Sequence, residues 1–310
     1  MTFPASTVTP PSLSNWQMQY NGVTFGTGTA YNIIKIDGLD LAQVRNGDIA
    51  RPRDTGEFVG LDLFGGRDIT IDLDMYQAGN NIQTLAQTLS TAFAPPSDGQ
   101  TESPLWIQLP NEPLYAVSCR VRKRNTTIDL PWSAGNYGKV TVLLHATDPR
   151  VYAPTRTGTV SLPTPLSGGT FNVTFPYSFG GGSTTGNITV ANTGNQEMRP
   201  IVTITGPVTN PSISNSTLGE TLTFSNPTQT SYTLNAGDTL VIDLDAHQVI
   251  YTPNGATVGS SRRSWLVSGS TWWNLPPGTN TVVFSSADAS LPSPVPTCSV
   301  SWAPAYYSAT

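Results

Sequence analysis

The sequence predicts a mainly β protein built of two β-sandwich-type domains, and three observations carry that expectation. Short apolar or alternating segments are separated by turn dipeptides such as Asn21-Gly22, Asp37-Gly38 and Gly65-Gly66 along most of the 310 residues. Only one stretch keeps a helical period, so a single packed α-helix is expected. The composition also changes at residues 139–152, KVTVLLHATDPRVY. A β-branched strand is stopped there by Asp148-Pro149, because proline has no N–H for a sheet ladder. Before this segment charges cluster; after it come Ser/Thr/Gly-rich stretches. The expected division is residues 1–153, with a Pro-rich N-terminal arm, and residues 154–310. Each half is long enough to bury its own core.

Net charge is −5, and residues 1–153 hold 11 basic against 14 acidic residues, residues 154–310 only 4 against 6. Neither half is basic, which argues against nonspecific phosphate binding, since that needs clustered Lys and Arg to displace counterions. Cys119 and Cys298 fall in different halves and show no metal spacing, so two lone, buried thiols are expected. The N-terminus has no basic start followed by an apolar run, and no segment approaches the length of a membrane span; neither a signal peptide nor a membrane partner is expected. Pro4, Pro10 and Pro11 suggest an extended arm that orders against something else.

Within the first domain, residues 16–20 and 31–36 read as strands. Residues 45–56 (RNGDIARPRDTG) show no period and predict a long charged loop. Residues 58–64 and 68–75 predict a strand pair across Gly65-Gly66. The second of these alternates cleanly, with Ile69, Ile71, Leu73 and Met75 on one face and Asp68, Asp72 and Asp74 on the other. Same-face residues lie about 7 Å apart along a strand, too far to share one ion unaided, so a solvated acidic face is the expectation. Ile82, Leu85, Ala86, Leu89 and Phe93 form one apolar stripe, with Asn80 or Asn81 as cap and Pro95-Pro96 as stop; such a helix should cover a sheet. Residues 105–109 and 114–122 return as strands. The run Arg120, Arg122, Lys123, Arg124 is too short for nucleic acid and suggests a salt-bridged subunit contact. Arg45, Arg51 and Arg53 in the charged loop are candidates for the same role. Residues 132–137, WSAGNY, predict a turn.

Residues 157–179 read as extended, and Gly180-Gly181-Gly182-Ser183 as a flexible loop. No helix follows it to make a phosphate cradle. Strands are then expected at 186–191, 200–205, 221–224, 239–245, 248–252, 264–267 and 281–284, a spacing that suits a sandwich. Leu240, Ile242 and Leu244 alternate with Val241, Asp243 and Asp245, so one face of the strand at 239–245 should be buried.

The wording of this half, TGNQEMRPIVTITGPVTNPSISN, then LNAGDTLVIDLDAHQVIY, then NLPPGTNTVVF, resembles the C-terminal domain of siphophage distal tail proteins. The GGRDITIDLDMY segment, the single helix and DPRVY agree with the N-terminal half of that family. The resemblance spans residues 16–284 and leaves the remainder unassigned. It implies an N-terminal ring-forming belt domain and a galectin-like, jelly-roll C-terminal domain. It further implies a structural virion protein at the distal tail, in a homo-oligomeric, hexameric ring between tail tube and tip or baseplate. Implied partners are the tail tube protein, a tip hub protein, and receptor-binding or tape-measure proteins, with DNA passing through the channel.

No G-x-S-x-G, H-E-x-x-H or Walker motif is present, and no cofactor, metal or catalytic role is expected. His145 lies in a strand and His247 in a turn; Asp243 and Asp245 share a strand face, unlike glycosidase carboxylates set across a cleft. The competing function is a carbohydrate-binding module, with Trp265, Trp272 and Trp273 as stacking candidates. Against it stands the expectation that Trp265 and one of the adjacent pair fill the core.

Overall fold

The computed structural model describes residues 9–76, 82–135, 137–162, 185–225, 232–288 and 292–309. The chain forms two compact units. The first comprises Phe3–Pro154 with Ala305–Thr310, and the second contains Thr155–Pro304. Residues 305–309, expected in the second domain, thus belong to the first. Local composition could not reveal this, because the segment's affiliation is set by a strand pair with residues 150 positions earlier.

The first unit opens with β1 (Gln17–Tyr20), β2 (Val23–Gly26) and β3 (Tyr31–Asp37). Four two-residue strands follow: β4 (Val44–Arg45), β5 (Ile49–Ala50), β6 (Glu57–Phe58) and β7 (Leu63–Phe64). Then come β8 (Arg67–Met75), α1 (Ile82–Ala92), β9 (Ser103–Gln108), β10 (Leu114–Thr127), α2 (Leu130–Ser133), β11 (Gly138–Ala146) and β12 (Val151–Tyr152). The strand order is β2-β1-β9-β10-β11-β8-β3. Strand β10 serves two ladders. Its first half pairs with β9 and its second half with β11. Within the β11 ladder a bulge at Arg122 breaks the register between Val121 and Lys123, and such an extra residue bends and twists a strand.

The stripe on α1 closes the core: Ile82, Leu85, Leu89 and Ala92 are buried, and Phe93 stacks on Tyr20 with ring centroids 5.3 Å apart. They meet Ile69, Ile71, Leu73 and Met75 of β8, which are buried as the alternation predicts. Each such side chain contributes about 1.5–3 kcal/mol by leaving water. Tyr20 and Tyr31 bury their rings here and donate to the carbonyls of Cys119 and Leu85. The proposed helix caps Asn80 and Asn81 lie outside the described residues.

Three local expectations need correction. Residues 58–64 do not pair with β8, which instead lies between β3 and β11. They fold back on residues 44–50. Residues 45–56 are therefore part of a paired arm, not an unpaired loop. The WSAGNY turn begins inside α2, capped by Asp129, whose carboxylate accepts from Trp132 N at 3.0 Å. Four residues are too few to show a helical period.

The second unit contains β13 (Arg156–Ser161), β14 (Thr185–Asn192), β15 (Ile201–Thr205), β16 (Val208–Thr209), β17 (Ser212–Asn215) and β18 (Glu220–Thr223). It continues with β19 (Thr233–Leu234), β20 (Thr239–Asp243), β21 (Gln248–Thr252), β22 (Ser260–Ser261), β23 (Gly278–Ser285) and β24 (Thr297–Trp302). One sheet runs β13-β24-β15-β20-β21-β22 and the other β14-β23-β17-β18. Val202, Ile204, Leu240, Ile242 and Val300 are buried on the first, Ile213, Leu222, Val282 and Phe284 on the second. Trp302 of β24 donates its indole N–H to the carbonyl of Ala191 on β14, 3.0 Å away. Residues 264–267, expected as a strand, hold a 3-10 turn over Arg263–Trp265 instead. Strand β24, in the stretch left unassigned by sequence, lies inside its sheet between β13 and β15. The Gly180 loop falls outside the described residues.

After the second unit, β25 (Ala305–Tyr306) pairs with β12, Tyr152 opposite Ala305 and Val151 opposite Tyr306. Cys119 and Cys298 are free and buried; burial raises both thiols, Cys298 to about 12.

Candidate assembly surface

Residues 44–64 form an arm. Its base is the β4–β7 pair, Val44 opposite Phe64, and its outer part the β5–β6 pair, Ile49 opposite Phe58. Where the two pairs meet, Gly60 donates its N–H to the Asp48 carboxylate at 2.8 Å. A Cβ at Gly60 would collide with the Gly47 carbonyl, so only glycine permits this approach. The Arg51 guanidinium lies 5.1 Å above the Phe58 ring.

The arm's apolar side chains point into solvent. Val59 is 95% exposed and Leu61 75%, and Val44, Ile49, Phe58 and Leu63 are exposed too. A two-stranded ribbon with no core is marginal by itself, and a contiguous apolar surface of this kind marks a contact with another macromolecule. Arg45, Arg51 and Arg53 are all exposed on the same arm.

The acidic and basic candidates sit elsewhere on the first unit. Asp68, Asp72 and Asp74 do share the outer face of β8, opposite the core. Each is engaged by its own chain: Asp68 with His145 Nδ1 at 2.6 Å, Asp72 with the Thr141 hydroxyl at 2.6 Å, and Asp74 with the Tyr137 hydroxyl. The Asp74 carboxylate pushes the Tyr137 phenol up to about 12. The basic run is divided by the bulge. Arg120 stands opposite His145 and donates to the Gly99 carbonyl at 3.1 Å. Lys123 stands opposite Leu143, on the outer face. Arg124 stands opposite buried Val142 and reaches the Ser90 carbonyl of α1 at 2.8 Å. Arg122, in the bulge, is exposed. Strict alternation across residues 120–124 would have placed these side chains differently, because an inserted residue inverts every face after it.

In the second unit the three tryptophans have partners within the chain. Trp273 is 1% exposed and belongs to the core. Trp265 meets the Tyr232 ring at 3.9 Å and the Arg262 guanidinium at 4.7 Å. Trp272 stacks on His247 at 4.7 Å and takes Arg263 at 5.9 Å. Asp243 is spent on its own turn, accepting from the backbone N–H of Asp245 and Ala246. Among the described residues, no group of three His, Cys, Asp or Glu is placed to hold a metal ion, and no helix is long and apolar enough to cross a membrane.

Residues 193–306 match the family model of the siphovirus-type tail component, C-terminal domain, of the SPP1 Dit type. A likeness of fold extends over most of the chain. The crystal structure of the phage SPP1 Dit protein, titled a paradigm of the hub adsorption apparatus in phages infecting Gram-positive hosts, superposes with a TM-score of 0.61 at 15% identity. The match covers 93% of this chain and 98% of that one. A chain of the phage P2 baseplate, in its activated conformation with calcium, gives 0.50 at 10% identity over 92% and 97%. At such identities the likeness is one of fold. No curated protein matches in sequence.

Proposed function

We propose that this chain is a structural protein of a siphophage virion, a distal tail component at the tail tip or baseplate hub. Copies form a homo-oligomeric ring, six-fold by resemblance, that joins the tail tube to the tip or baseplate and surrounds the DNA channel. The arm carries this reading, because residues 44–64 expose an apolar surface that only another subunit or tail protein would cover. The whole-chain likeness to a hub protein supports it.

In this reading Arg45, Arg51 and Arg53 on the arm, and Arg120, Arg122 and Lys123 on β10, meet the next copy in a head-to-tail contact. Asp68, Asp72 and Asp74 are held by their own chain, which suits a channel wall that repels DNA phosphates better than a contact needing free carboxylates. The tail tube protein and a tip hub protein are the neighbours, with receptor-binding or tape-measure proteins beyond. The chain performs no catalysis and takes no cofactor. The carbohydrate-binding alternative loses support from the ring contacts around Trp265 and Trp272 and from the burial of Trp273.

Negative-stain imaging and light scattering of the purified chain test the reading. Rings with a central opening are expected; a strictly monomeric chain at high concentration would overturn it.

A further inference from the structure

We propose that residues 305–309 are a strap that sets the base of the arm. The arm's two legs leave the sheet at one place, where the Arg67 side chain is 2% exposed. Its guanidinium donates to four backbone carbonyls: Pro149 at 2.9 Å, Gly38 at 2.8 Å, Asp40, and Tyr307. Gly38 and Asp40 precede the ascending leg, and Arg67 follows the descending leg by three residues. Gly38 has φ +89°, and a Cβ there would collide with the Asp68 carbonyl, so this crossing is close-packed.

The strap closes this arrangement from outside. Its Tyr307 carbonyl supplies one of the four acceptors, and its Tyr307 ring packs against Phe64 at 5.0 Å, in the arm's first residue pair. Ala309 is fully buried and donates its N–H to Leu39 O at 3.1 Å, on the segment that leads into the ascending leg. Tyr306 meets Tyr115 edge-on at 5.4 Å. The strap therefore touches the descending leg and the segment leading into the ascending one, yet its own ladder is only the two residue pairs with β12. Such a short ladder opens far more readily than the sheet beneath it.

The test uses the full chain, a variant lacking residues 305–310, and Tyr307→Ala. Dilute protein is treated with trypsin, which can cut after Arg45 and Arg53 in the arm but not at Arg51, which precedes Pro52, and hydrogen exchange is followed in β8 and β11. Cleavage in the arm should accelerate about threefold in Tyr307→Ala, which loses the aromatic pair but keeps the backbone carbonyl, and about tenfold on deletion, which also removes that acceptor from Arg67. Exchange in β8 and β11 should stay unchanged. Equal cleavage in Tyr307→Ala and the parent chain would overturn the strap, whether or not the deletion variant folds. If no variant forms rings but the cleavage contrast persists, the ring reading fails and the strap stands.

Discussion

The two units reach stability by different means, and the difference lies in how much apolar surface each leaves in water. The second turns nearly all its large apolar side chains inward and secures its turns with Asn and Asp. Asn192, Asn215, Asp238 and Asn280 are buried, and all four bind neighbouring backbone groups. The first unit holds its core behind β8 and α1 but leaves apolar groups outside. Among the described residues, thirteen of the seventeen exposed large apolar side chains lie there, against four in the second unit. A unit that satisfies itself needs no partner; one that leaves an arm of Val, Leu and Phe in water gains by finding one.

If the units are separate cooperative bodies, calorimetry will resolve two transitions and each core substitution will move one of them. Trp273→Ala should lower the second unit's transition by about 3–5 kcal/mol through the cavity it leaves, and Trp272→Ala by about 1 kcal/mol. Arg67→Ala should cost the first unit about 3 kcal/mol, since four backbone carbonyls lose a shared, buried donor, and leave the second transition in place. A shift of both transitions by either change would merge the units into one.

The carboxyl of Asp238 sharpens the contrast through pH. Burial alone would raise it, but donors from Asn254 N, Asn235 and the Tyr251 hydroxyl outweigh burial and hold it below its usual 3.8. A depressed carboxyl stabilises the fold above its unfolded value and loses that contribution as pH falls through the folded one. The second unit should therefore weaken as pH drops below 3.8. Asp238→Asn should cost about 1–3 kcal/mol at neutral pH, with the two proteins converging in acid. Denaturant midpoints at several pH values would show parallel curves if the carboxylate has no such role.

The smallest effect on stability should come from the arm. Val59→Ser with Leu61→Ser touches no core and should change stability by less than about 0.5 kcal/mol, yet abolish ring formation in light scattering. Rings that survive this pair would move the assembly surface away from the arm.

Much of this protein was legible residue by residue. The alternation Ile69, Ile71, Leu73, Met75 named one buried face of β8, the Ile82–Phe93 stripe named the helix face, and the loss of charge after Tyr152 announced a second unit. These are local properties, written in spacing and side-chain type. The candidate site was only half legible. Its arginines were visible, but the arm that bears three of them read as a loop, because two-residue strands interrupted by Gly47 and Gly60 leave no period. Residues 58–64 were paired with the wrong partner, residues 68–75, since a period of two fits any neighbouring strand equally well. The bulge at Arg122, the insertion of β24 between β13 and β15, and the return of residues 305–309 were decided by tertiary structure alone. Each depends on which distant backbone groups pair and bury together, a free-energy difference that no local stretch of sequence contains.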